Sequence, residues 1–96
     1  MQQYIIYAWD GQDELALDRR MKARPAHFER AGRLKTDGNF ILGGAMLNDE
    51  GKMIGSTMVV QFESKEQLQG WLDTEPYITG NVWEKIDIRP FKVADV

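Results

Sequence analysis

NFILGGAMLNDEGKMIGSTMVVQFE, residues 39–63, contains two runs rich in apolar and β-branched residues, separated by NDEG at 48–51. Asn, Asp and Gly clustered between such runs specify a tight turn, so residues 39–47 and 52–63 are expected as the two strands of a hairpin. Gly43, Gly44 and Gly55 fall inside those strands. Glycine weakens a strand, and in that position it marks a bulge or a place where something approaches the backbone closely.

On the N-terminal side, YIIYAW at 4–9 is rich in β-branched and aromatic residues and apolar on both alternating faces: Tyr4, Ile6 and Ala8 on one, Ile5, Tyr7 and Trp9 on the other. Asp10 and Gly11 end this strand with turn chemistry. From Asp13 the pattern becomes helical, with Leu17, Met21, Phe28 and Ala31 as the expected inner stripe. Pro25 lacks an N–H and disfavours helical geometry at Arg24, which predicts two helical segments meeting at a kink. Pro25 would open the second segment, with His27 in its first turn and Gly38 as its C-cap.

On the C-terminal side, Ser64 with Gln67 three residues on predicts a capped helix over 64–73. Its apolar face is Leu68, Trp71 and Leu72, and it should stop before Pro76. Residues 82–91, VWEKIDIRPF, read as a last strand with Val82, Ile86 and Ile88 in phase. The order strand, helix, strand, strand, helix, strand is the split βαβ arrangement, an α+β ferredoxin-like fold, expected as one domain over 1–96. Its helices cover one face of the sheet. The second apolar face of YIIYAW therefore predicts a homodimer with sheets packed face to face.

Composition excludes several classes of function. A net charge of −3 gives no general reason to expect nucleic acid or an anionic membrane as partner. The absence of cysteine removes disulfides, thiolate nucleophiles and cysteine metal sites. The first residues, MQQYIIYAWD, lack a basic start and a long apolar run, so the expected location is the cytoplasm. Seven of the twelve basic residues, Arg19, Arg20, Lys22, Arg24, Arg30, Arg33 and Lys35, crowd into residues 19–35. Most are read as a solvated helix face, with one or two able to orient an anionic small ligand.

Among groups that carry chemistry, the only histidine stands out. At a helix start, the positive end of the helix dipole and the neighbouring Arg24 and Arg30 would favour a neutral imidazole, the form a general base requires. Lone helix histidines are also common as surface or packing residues. A base needs an orienting carboxylate, and Asp73 and Glu75 flank the end of the second helix where the fold can bring them near His27. GNFILGG lacks the spacing of a phosphate loop, Ser56 lacks the elbow of a hydrolase nucleophile, and one histidine without cysteine is poor metal-site material.

Taken in order, the motifs are R-P-A-H in the first helix, G-x-x-x-x-G-G across the second strand, G-S in the third, acid-Pro-Tyr after the second helix and P-F in the last strand. Together they resemble the YciI-like (YCII-related) family over nearly the whole chain. The resemblance implies a dimeric ferredoxin-like α+β barrel. Its pocket would hold the R-x-x-H histidine, here His27, and the acid of D-P-Y, here Glu75 in place of Asp, with Asp73 as the alternative. Arg24, Ser56 and Tyr77 match motif positions as substrate-binding residues, and Asp10 is added from its place at the end of the first strand. It further implies a lyase or dehydrohalogenase acting on a chlorinated hydroxyquinol or chloromuconolactone, without cofactor or metal: His27 as base, Glu75 orienting it, Arg24 holding the oxyanion. A non-catalytic small-molecule binding module using the same pocket is the competing reading.

Overall fold

A computed structural model describes residues 1–96, and the hairpin forms as β2 (Phe40–Leu47) and β3 (Met53–Phe62). At its turn the Asn48 side-chain oxygen accepts from the backbone N–H of Glu50 and Lys52, at 2.9 and 3.0 Å, and Gly51 takes the left-handed φ of 81°. Gly55 answers to close approach: a Cβ there would stand 2.4 Å from the carbonyl oxygen of Ala8 on the neighbouring strand.

The remaining elements are β1 (Gln2–Asp10), α1 (Ala16–Thr36), α2 (Lys65–Asp73), α3 (Pro76–Thr79) and β4 (Trp83–Phe91). The sheet runs β2-β3-β1-β4 with every pair antiparallel, and the fold is ferredoxin-like α+β. Register sets the two faces. Tyr4, Ile6 and Ala8 lie opposite Val60, Met58 and Ser56, and these apolar side chains are buried with Leu68, Trp71 and Leu72 of α2 in one core. The other face carries Ile5, Tyr7 and Trp9, of which Tyr7 is 40% and Trp9 42% exposed. A shift of register between Trp9 and Asp10 pairs Asp10 with Trp83. This bulge turns Trp83, one strand position out of phase with Ile86 and Ile88, toward the helix side.

Two expectations about the first helix are corrected. α1 is one helix that passes through Pro25 without a break. Pro25 is exposed, so the Met21 carbonyl that loses its partner lies where water can replace the bond, and the neighbouring turns carry the helix across. His27 is accordingly in mid-helix, far from the N-terminus of α1. The inner stripe is also rotated: Ala16, Arg20, His27 and Leu34 are buried, with Ala23 packed on the core, whereas Leu17, Met21 and Phe28 are exposed. α1 ends as expected at Gly38, φ 81°, whose N–H donates to Lys35 while that of Asn39 donates to Leu34.

At α2 the Ser64 hydroxyl accepts from the Gln67 N–H at 3.2 Å. Beyond it comes a single turn of helix, α3, capped by the Glu75 side chain with Pro76 at its first position. No helix of the chain is long and apolar enough to cross a membrane.

Candidate active site

Between α1 and the β2–β3 hairpin lies a cavity of about 380 Å³. Small residues make the room: Ala31 and Gly32 on the helix face Gly43, Gly44 and Ala45 on β2. A side chain at Gly43 would press on the Phe40 ring at 3.0 Å. The rest of the wall includes Arg24, His27, Phe28, Lys35, Ser56, Met58 and Tyr77.

His27 meets Glu75 through Nδ1. Glu75 is only 1% exposed, and its same Oε1 accepts the Tyr77 backbone N–H at 3.2 Å. A carboxylate this deep requires hydrogen-bond partners, and the capped turn of α3 supplies them. With Nδ1 engaged, Nε2 of His27 is the ring nitrogen that no protein group occupies. The imidazole also lies flat on the Tyr77 ring, centroids 3.9 Å apart, with Trp83 edge-on at 6.2 Å. Burial pushes the Tyr77 phenol above its ordinary pKa, against the pull of Arg20 and Arg24, so the phenol stays protonated.

Beneath this group sits a second buried set that the sequence reading met only in part. Arg20, 2% exposed, places Nη1 3.0 Å from both oxygens of Asp10 and Nη2 2.9 Å from Ser56 Oγ. Its guanidinium covers the Tyr77 ring at 4.7 Å. Trp83 Nε1 donates to the same Ser56 oxygen at 3.1 Å. Burial pushes the Asp10 carboxyl up, while the hydrogen bond and charge of Arg20 pull it down. Asp10 therefore pairs with Arg20 and takes no part in the cavity wall.

Arg24 reaches the cavity with its guanidinium over the Phe28 ring at 4.5 Å. Asp73 accepts from Gln69 on the surface of α2, and Glu75 is the carboxylate at His27. Arg20 and Trp83 were not singled out from sequence. The spacing of Ala16, Arg20, Ala23 and His27, one helical face with small residues between the polar ones, is the signal that identifies Arg20.

A ferredoxin-like α+β fold with a histidine–carboxylate pair at a cavity between helix and hairpin defines the class. Within it, the chain belongs to the YCII-related domain family, whose model matches residues 2–92. It is 39% identical over 95 residues to Protein YciI of Escherichia coli O6:H1, covering 93% of this chain and 95% of that one. It is 27% identical, with the same coverage, to an uncharacterized protein of Haemophilus influenzae. Among solved structures it is similar to the 5-chloro-2-hydroxyhydroquinone dehydrochlorinase TftG of Burkholderia phenoliruptrix AC1100 in complex with 2,5-dihydroxybenzoquinone. That likeness has a TM-score of 0.83 and 21% identity, over 96% of this chain and 95% of that one. A dimeric ferredoxin-like protein of unknown function from Jannaschia sp. CCS1 matches with a TM-score of 0.57 and 14% identity, over 97% and 100% of the two chains.

Proposed function

We propose that the protein is a cofactor-independent lyase that removes hydrogen chloride from a small oxygenated ring, a chlorinated hydroxyquinol or chloromuconolactone. The observation that carries this reading is the His27–Glu75 pair: Nδ1 is held by a buried carboxylate and Nε2 is left free at a cavity wall. In that arrangement Nε2 takes the substrate proton as general base, and Glu75 fixes the ring and stabilises the imidazolium that forms. The freed electron pair becomes a new π bond as the C–Cl pair departs as chloride from a tetrahedral carbon, directly in the lactone and from the keto tautomer, protonated at the C–Cl carbon, in the hydroxyquinol, so the step balances without oxidant or metal. Arg24 stabilises the oxygen on which charge accumulates. The likeness in fold to TftG supports a ring-shaped ligand.

The bare second face of β1 supports a homodimer in which the sheets of two copies meet, and the Jannaschia protein is described as dimeric.

Chloride release from 5-chloro-2-hydroxyhydroquinone and from a chloromuconolactone tests the reaction. His27→Ala is expected to slow it by about 10²- to 10⁴-fold in a protein that stays folded. Release at an unchanged rate removes His27 as the base. Binding of 2,5-dihydroxybenzoquinone with no chloride released by the unmodified protein would make the cavity a binding module.

A further inference from the structure

Ser56 Oγ accepts two hydrogen bonds, from Arg20 Nη2 at 2.9 Å and from Trp83 Nε1 at 3.1 Å. Guanidinium and indole N–H groups only donate, so both lone pairs of the hydroxyl oxygen are taken by neighbours that cannot accept its proton. No other protein group bonds to Ser56 Oγ, and Ser56 forms part of the cavity wall.

We infer that the Ser56 hydroxyl is a dedicated hydrogen-bond donor into the cavity, there to hold a substrate oxygen that becomes negative as His27 removes a proton. The geometry prepares it for that task. Arg20 is fixed by both oxygens of Asp10 and presents a cation to the oxygen of the hydroxyl. A donor whose own oxygen is bonded to a cation is polarised and donates more strongly. Arg20 is thus a positioning residue, acting through Ser56. The same saturation removes Ser56 as a nucleophile, because no base receives its proton and no lone pair is free to attack.

The inference rests on the lyase reading and narrows it. The substrate carries a carbonyl or phenolic oxygen conjugated to the position that loses its proton, as in a hydroxyquinol or an enolisable lactone.

Oxyanion probes test it without turnover. The unmodified protein should bind 4-nitrophenol as its phenolate, visible in the absorbance spectrum, and more tightly than the methyl ether 4-nitroanisole. Ser56→Ala should weaken 4-nitrophenolate by about 10- to 100-fold and leave 4-nitroanisole unchanged. Ser56→Cys, nearly the same size but a weak donor, should fall in the same direction and serves if the alanine variant does not fold. Equal phenolate affinity in the unmodified protein and either folded variant overturns the inference, as does a lack of preference for 4-nitrophenol over its ether. A phenolate effect in a protein that releases no chloride keeps the donor and discards the lyase. Chloride release with an unmoved phenolate affinity does the reverse.

Discussion

The rings of His27 and Tyr77 lie face to face, 3.9 Å between centroids and 14° between planes, and the Tyr77 N–H donates to the carboxylate that meets His27 Nδ1. One short segment, Glu75-Pro76-Tyr77, therefore holds the imidazole both at its edge and on its face. The proline makes the spacing work, since it opens the turn of α3 whose cap is Glu75. Tyr77→Ala should lower stability by about 3–5 kcal/mol, the usual loss for a large buried aromatic, and sharply reduce chloride release. Tyr77→Phe keeps the ring and should stay within about 1 kcal/mol by urea denaturation, because the phenol oxygen has no hydrogen-bond partner in the protein. An alanine variant as stable as the parent would show that the stack holds nothing.

Asp10 and Arg20 form an ion pair with side chains 4% and 3% exposed. Removing one member leaves a buried charge alone, so Asp10→Asn should cost about 3–5 kcal/mol. Asp10→Leu combined with Arg20→Met should be markedly less damaging than the sum of the two single changes, because neither charge is then stranded. A double variant whose loss equals the sum, measured by chemical denaturation, would show that the two residues act independently.

The fold was legible in the sequence because its signals are local: NDEG with its glycine, the Ser64 cap, Gly38 after α1, and the two apolar faces of YIIYAW. The short turn α3 was not, since four residues carry no periodicity. The helix register failed for a physical reason. Periodicity assigns the inner face to the largest apolar residues, Leu17, Met21 and Phe28, but α1 turns inward the polar groups of the site and the alanines that leave it space. Arg20 was hidden by this, because an arginine in a basic run reads as solvated until its buried partners Asp10 and Ser56 are in view. Pro25 misled similarly, since a proline breaks a helix only where its lost bond cannot be replaced.

At the entrance to α1, Arg19 grips both oxygens of Asp13, at 2.8 and 2.7 Å, and its Nε donates to the Asn81 carbonyl at 3.1 Å. The Arg19 hydrogen bond holds the Asp13 carboxyl well below the usual carboxylate range. A depressed folded value means that the contribution is present above the unfolded pKa of 3.8 and is lost as pH falls through the folded one. Asp13→Asn should accordingly narrow the stability gap between pH 7 and pH 2, and 1 M salt should shrink the difference between the two proteins because the pair is exposed. Parallel pH–stability curves would remove the pair from the acid limb.

Tyr7 and Trp9 lie on the uncovered face of the central strand β1, opposite Thr57 and Gly55 of β3. If two copies meet there, Tyr7→Arg buries a charge without a partner at the interface and should convert a dimer to a monomer in sedimentation equilibrium, with little change in helix content by circular dichroism. A variant that sediments as a dimer moves the interface elsewhere, and a monomeric parent removes it.

Pro25 lies inside α1, two residues before His27 and next to Arg24, and costs the helix the bond its N–H would give to the Met21 carbonyl. Proline is less favourable than alanine in a helix interior by about 3 kcal/mol, and alanine returns part of that through a more flexible unfolded chain, so Pro25→Ala should stabilise by about 2 kcal/mol. A residue that weakens its own helix beside the proposed base His27 is expected to serve geometry, which gives the same variant a second readout. If the proline sets how His27 and Arg24 project, Pro25→Ala should raise the melting temperature and lower chloride release together. A rise in both would mean that the proline only destabilises, and a fall in melting temperature would mean that the helix depends on it.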